Sequence, residues 1–226
     1  MPVLINEFFE CDDPACRLRF PGTARYPRWK RCPVCRSSIH LVAAVKNCTE
    51  MDNQLGIQRR WQVEALLDNI RSAWNVGSIF RTSDGTGVNK LYLCGITPTP
   101  ENTKVSKTAL GAEINIPWEK SNNGVQLVSL LKEKGYVLWA LEDLPIALPL
   151  FQIKFDWNNS PIVLIVGNEV SGVDPGIIEL CDKVISIPML GKKQSYNVAV
   201  AYGIAVSFLL YRQSVSHGSL NIFPST

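Results

Sequence analysis

Two kinds of residue grouping in this chain could do chemistry. The first is a set of cysteines. Cys11 and Cys16 are followed, after fifteen residues, by Cys32-Pro33-Val34-Cys35. A CxxC turn places two thiolates within reach of one ion, and a second pair completes a closed tetrahedral S4 site that suits structural Zn²⁺. The first pair departs from the usual ribbon spacing by having four intervening residues. The second grouping comprises three polar clusters that follow apolar runs. They are Asn69 to Arg81, Gly167-Asn168-Glu169-Val170-Ser171-Gly172-Val173, and Ile187-Pro188-Met189-Leu190-Gly191 leading to Ser195-Tyr196-Asn197. In open α/β sheets, ligands bind beyond the carboxyl ends of the strands, so three such loops make a candidate pocket. Asn75 and Arg81, six residues apart, are expected near one face of a helix after less than two turns.

The elements that must position these groups follow from periodicity. Val63–Leu67, Lys90–Cys94, Tyr136–Leu141, Pro161–Val166 and Lys183–Ile187 read as strands, with PIVLIV buried on both faces. Helices are expected over Asn75–Asp84, Val125–Lys134, Ile177–Cys181 and Asn197–Tyr211, and a long loop over 95–113. Alternation of strands and helices predicts an α/β fold, a parallel sheet covered on both faces. Residues 61–226 form this domain, 47–60 a polar linker, and 1–46 a small Cys-, Pro- and Arg-rich unit with little hydrophobic periodicity, unable to build much of a core unaided. The C-terminal helix is more apolar than one buried face requires.

Composition narrows the function. The chain has 226 residues, 46% of them hydrophobic and 19% charged, as in an ordinary globular protein. No apolar run approaches the ~18 residues of a membrane span, and the N-terminus does not resemble a signal peptide. A cytoplasmic location is expected, where an odd count of seven cysteines argues for metal over disulfides. Seven of the 23 basic residues (Arg17, Arg19, Arg25, Arg28, Lys30, Arg31 and Arg36) lie in one stretch that has no acidic residue. If metal fixes the loop between the cysteine pairs, Arg25, Arg28, Trp29, Lys30 and Arg31 are presented together, as phosphate and base contacts for RNA. Gly85-Thr86-Gly87 is the only GxG and ends a helix, and no Walker loop is present, so dehydrogenase and P-loop readings are weak. His40 and His217 lie outside the α/β motifs, which disfavours histidine acid–base chemistry.

The motifs NIRSAWNVGSIFRTSDGTG, IVLIVGNEVSGV and ISIPMLGKKQSYNVAVA resemble, in order and spacing, those of the TrmH (SpoU) family of SPOUT methyltransferases. The resemblance covers Leu66 to Tyr211. It implies a C-terminal deep trefoil knot over roughly Ile162 to Tyr211, a homodimer, and methyl transfer from S-adenosylmethionine to a ribose 2′-hydroxyl of tRNA or rRNA. It implies cofactor contacts from Gly167, Ile187 and Tyr196, with Leu141, Met189 and Ser195 nearby. Tyr196 stands where the family usually has Leu, a change that a backbone contact would survive. It implies Arg81 at the catalytic centre, supported by Asn75, with Glu169, Ser195 and Asn197 as further polar positions. The Asn75–Arg81 pairing and the Ser-Tyr-Asn triplet favour ribose over a base as acceptor. A base-directed enzyme of the same superfamily and a non-catalytic zinc-ribbon RNA-binding protein are the alternatives. The loop Lys104–Glu113 is a further candidate for RNA contact.

Overall fold

The computed structural model describes residues 5–23, 30–46, 62–153 and 160–215. The chain divides into two compact units, Met1–Gly56 and Ile57–Thr226. The linker expected at 47–60 lies outside the described residues.

In the first unit, β1 (Ile5–Cys11), β2 (Arg19–Thr23) and β3 (Ile39–Lys46) form an antiparallel sheet with β1 in the middle. Hydrophobic periodicity in the sequence does not mark these strands. The sequence signal is weak because little of this sheet is buried. Among the described residues of this unit the buried hydrophobic ones are Cys11 and Cys32. So small a core contributes little stability by itself, and the cysteine cluster is its centre.

The second unit runs β4 (Val63–Asp68), α1 (Ala73–Thr86), β5 (Leu91–Cys94), α2 (Thr103–Ala109), α3 (Ala112–Asn115), β6 (Trp118–Ser121), α4 (Gly124–Glu133), β7 (Val137–Leu141) and β8 (Leu148–Pro149). After a 3₁₀ turn at Leu150–Gln152 come β9 (Ile162–Val166), α5 (Pro175–Ile178), β10 (Lys183–Ser186) and α6 (Val198–Val215). The sheet is parallel throughout, in the order β6-β5-β4-β9-β7-β10-β8. Strand alternation divides the core between its faces. Ile162, Leu164 and Val166 of β9 join Val63, Ala65 and Leu67 of β4 beneath α1, α2 and α6. Val163 and Ile165 join Leu66 beneath α4 and α5 on the other face. β4, β5 and β9 are buried along their whole length; β5 and β9 read as unbroken apolar runs, while β4 carries the buried Glu64, which accepts from the Tyr92 hydroxyl, and Asp68, which accepts from the Asp174 amide.

The segment expected as a loop over 95–113 instead holds α2 and the start of α3. Asn102 caps α2, its side chain accepting from the Lys104 amide at 3.0 Å. Only Val105 and Ala109 of α2 are buried, too few for the periodicity to register. Among the described residues, no helix is long and apolar enough to cross a membrane.

Register sets where the site lies. Leu67 of β4 and Leu141 of β7 both pair with Val166 of β9, and Ile185 of β10 pairs with Leu141. Four strands therefore end side by side, and the loops after them meet at one edge of the sheet.

Candidate active site

β9 ends at Val166, and the chain turns sharply through Gly167. A Cβ there would overlap the Gly172 carbonyl and the Val173 amide nitrogen, so only glycine fits. The turn closes on itself, with Asn168 and Gly172 exchanging backbone hydrogen bonds. The Asn168 side-chain oxygen accepts from the Val170 and Ser171 amides, and its nitrogen donates to the Asn69 carbonyl at 2.7 Å. This rigid loop holds Glu169 against the start of α1.

Glu169 collects donors from that helix. The Arg71 amide donates to its Oε2 at 2.9 Å, and the Ser72 amide and the Asn75 side chain donate to its Oε1 at 3.1 and 2.9 Å. Burial raises the pKa of this carboxyl, but hydrogen bonds from the amides of Arg71 and Glu169 itself, from Asn75 and from the Ser72 amide outweigh it. The group is held below the usual glutamate range and stays ionised. Asn75 extends the chain: its Oδ1 accepts from Asn197 Nδ2 at 3.1 Å, and Asn197 Oδ1 caps α6 by accepting from the Ala199 amide at 2.9 Å. Three residues from three separate motifs thus form one hydrogen-bonded line, Glu169–Asn75–Asn197.

Beside that line is a cleft of about 470 Å³, a size typical of small-molecule sites. Leu141, Gly167, Ile187, Met189, Ser195 and Tyr196, all singled out in the sequence, line it together with Glu169 and Asn197. Val166, Val198 and Ala201 give it apolar walls. Its charge is one-sided. Glu142, Asp143 and Glu169 are acidic, and none of the described residues lining it is basic. Sequence reasoning missed Glu142, Asp143 and Gln194, and named Asn168 only as part of its polar cluster. The first two follow β7 directly, so the same strand-end rule would have found them.

Arg81 is placed differently from the expectation. At about 100° per residue, six positions put Asn75 and Arg81 roughly 120° apart around α1, not on one face. Arg81 is solvent-exposed, does not line the cleft, and has no hydrogen-bond or ion-pair partner among the described residues. Ser195 is exposed on the loop before α6.

In the first unit, the four sulfurs of Cys11, Cys16, Cys32 and Cys35 all lie within 4.8 Å of one another. Cys11 Sγ is 3.3 Å from Cys35 Sγ, and Cys16 Sγ is 3.8 Å from Cys32 Sγ. Zn–S bonds of ~2.3 Å in a tetrahedron separate sulfurs by about 3.8 Å, so this donor set could hold one Zn²⁺. The irregular spacing of the first pair has a local cause. Both pairs end in matching turns, Asp13-Pro14-Ala15-Cys16 and Cys32-Pro33-Val34-Cys35, each followed by an arginine in the left-handed region. Asp13 takes the place of the leading cysteine in the first turn, and Cys11 sits two residues earlier, at the end of β1. Lys30 and Arg31 are exposed; Arg25, Arg28 and Trp29 lie outside the described residues. His40 is a surface residue hydrogen-bonded to Asp12 at 2.5 Å.

The chain is 34% identical over 148 residues to a tRNA (guanosine(18)-2′-O)-methyltransferase of Aquifex aeolicus, covering 65% of this chain and 68% of that one. It is 30% identical over 166 residues to the 23S rRNA (guanosine-2′-O-)-methyltransferase RlmB of Vibrio parahaemolyticus, covering 73% of this chain and 65% of the relative. The chain therefore spans about two thirds of the length of these curated relatives. Among solved structures, the AdoMet-bound rRNA methyltransferase of Sinorhizobium meliloti superposes with a TM-score of 0.62 at 25% identity, over 67% of this chain and 56% of that one. The model of the SpoU rRNA Methylase family matches residues 62–207, which takes in the sheet and all three strand-end loops, and the chain belongs to that family.

Proposed function

We propose that this protein is an RNA methyltransferase that transfers the methyl group of S-adenosylmethionine to a ribose 2′-hydroxyl of tRNA or rRNA. The observation that carries this reading is that the second and third motif loops line one cleft, while the hydrogen bonds Glu169–Asn75–Asn197 tie the helix of the first motif, which bears Arg81, to the wall of that cleft. The names of the relatives support the acceptor, and the AdoMet-bound neighbour supports the cofactor.

S-Adenosylmethionine supplies a methyl group already activated by its positive sulfur. Leu141, Gly167, Ile187, Met189, Ser195 and Tyr196, which line the cleft, would hold the cofactor there. The protein's task is alignment, which can contribute much of such an acceleration. Glu169, Asn75 and Asn197 fix the start of α1 relative to that cleft, and Ser195 on the adjoining loop adds a polar contact. A guanidinium offers only hydrogen-bond donors and no acceptor, so Arg81 serves as a clamp on phosphate or ribose and not as the base. The 2′-hydroxyl proton leaves to a neighbouring phosphate or to water.

The same reading extends to the rest of the chain. Cys11, Cys16, Cys32 and Cys35 hold a structural Zn²⁺, and the ribbon they fix binds RNA through its basic loop. The family's trefoil knot forms between roughly Ile162 and Tyr211. The protein works in the cytoplasm as a homodimer, for which α6, with Val200 and Tyr211 exposed on an otherwise apolar helix, offers a surface.

The test is total RNA with S-adenosylmethionine labelled in its methyl group, using the wild type and Arg81→Ala. Nucleosides of the digested RNA are then identified by mass spectrometry. Label in a 2′-O-methylnucleoside, reduced about a hundredfold or more in the variant, is expected. Label on a base overturns the choice of acceptor.

A further inference from the structure

Within α1, Trp74, Ser78, Arg81 and Gly85 fall in one sector about 60° wide, at ~100° per residue. The neighbours of the helix leave this sector uncovered. On one side α2 packs close, and a Cβ on Gly77 would strike the Val105 carbonyl and the Thr108 side chain. On the other side lies α6, with Tyr202 bonded to Ser83 at 2.7 Å and Asn197 to Asn75 at 3.1 Å. The uncovered sector is therefore the floor of a surface channel between α2 and α6.

Trp74 is the residue of that floor without an explanation in packing. Its side chain is 54% exposed, one position before Asn75, and no aromatic ring or cation lies against it among the described residues. Leaving a large apolar ring in water forgoes about 1.5 kcal/mol or more of burial. Four exposed cations belong to the elements that border the sector, Arg71 just before α1, Arg81 within it, and Lys104 and Lys107 on α2, with Glu169 the acidic group bonded to the start of α1. A flat apolar ring among cations suits a nucleobase flanked by its phosphates.

Building on the proposed ribose methylation, we propose that Trp74 stacks on an unpaired nucleobase next to the target nucleotide, and so selects single-stranded or loop RNA. Trp74 and Arg81 are about 10 Å apart along the helix axis. Base and phosphate are thereby gripped at two points along the helix that Asn75 ties to Glu169 on the cleft wall. Trp74 is a positioning and specificity residue; it touches the substrate beside the reacting ribose without taking part in the transfer.

The test compares wild type, Trp74→Phe and Trp74→Leu, using the RNA fraction that accepts methyl groups from the wild type, or unfractionated tRNA for binding. Trp74→Leu should raise the KM for RNA about tenfold and leave kcat at saturating RNA, S-adenosylmethionine affinity and melting temperature near their wild-type values. Trp74→Phe should recover most of the loss. RNA should quench tryptophan emission in the wild type by more than in Trp74→Phe. An unchanged KM and equal quenching in the Leu variant would overturn the role of Trp74 in an otherwise active enzyme. Loss of the dimer in Trp74→Leu would overturn it too, assigning the ring to a second copy of the chain. If the wild type methylates no ribose, the reading of the reaction fails, and RNA quenching still decides the role of Trp74.

Discussion

Glu169 is bound in a way that makes its charge, not only its shape, part of the site. Its carboxylate accepts from two successive amides at the start of α1, where the helix dipole also favours an anion. Because its folded pKa lies below the unfolded value of 4.5, it adds stability that is fully present above that value. The contribution is lost as pH falls through the lower folded value. The melting temperature of the wild type should therefore exceed that of Glu169→Gln near neutrality, and the gap should close between about pH 5 and about pH 3. A gap that does not change with pH would mean that the loop needs the shape of the side chain and not its charge. Asp143 makes a smaller, separate prediction. The cleft carries carboxylates and no basic lining residue, so it should prefer the cationic S-adenosylmethionine to the neutral S-adenosylhomocysteine. Asp143 is exposed, so Asp143→Asn should narrow the ratio of the two affinities by only about threefold. Calorimetric titration of both ligands reads that ratio directly.

At the scale of elements, glycines in one helix make opposite predictions. Glycine inside a helix ordinarily costs ~0.5–1 kcal/mol relative to alanine. At Gly85 a Cβ would meet nothing within 4 Å, so Gly85→Ala should stabilise the protein by up to about that amount. At Gly77 the added Cβ would meet the backbone of α2, which cannot swing aside as a flexible side chain can. Overpacking of this kind costs about 1–3 kcal/mol and should exceed the gain in helix propensity, so Gly77→Ala should lower stability. Chemical denaturation of the two variants decides the matter; equal and opposite shifts are not expected. The same physics explains which elements are legible in the sequence. β5, β7 and β9 announce themselves because burial on both faces demands continuous apolar runs, and β4 and β10 are marked by shorter apolar stretches, Ala65–Leu67 and Val184–Ile185. Edge strand β6, Trp-Glu-Lys-Ser, is half exposed and carries no such run, while two-residue β8 is too short to show one. The strand-end rule marks only the loops that hold Gly167, Ile187, Met189 and Tyr196; it is the resemblance of the motifs that singles out these residues within them. Arg81 could not be placed, since a helix fixes its angle to Asn75 but not which neighbours cover each side of the helix.

At the scale of the whole molecule, the two units rest on different sources of stability. The second buries two hydrophobic layers against a seven-stranded sheet. Among its described residues, the first buries no hydrophobic side chain besides Cys11 and Cys32. The proposed Zn²⁺ would hold such a unit together, since four thiolates brought within 4.8 Å would repel one another strongly without a cation between them. Removing the ion should therefore unfold one unit and spare the other. Treating the intact protein with a strong chelator under reducing conditions should release one zinc per chain and abolish the signal of the small sheet. The melting transition of the α/β unit and its affinity for S-adenosylmethionine should persist. RNA affinity should fall together with its salt dependence, because each lost phosphate contact removes close to one released counterion from the slope of log K against log salt. If the basic loop between the cysteine pairs makes several such contacts, the slope should drop by several units, whereas loss of Trp74 stacking should leave it unchanged. Chelation that weakens RNA binding without changing the slope would mean that the ribbon acts by some route other than its charge. Chelation that also abolishes S-adenosylmethionine binding would show that the α/β unit does not stand by itself.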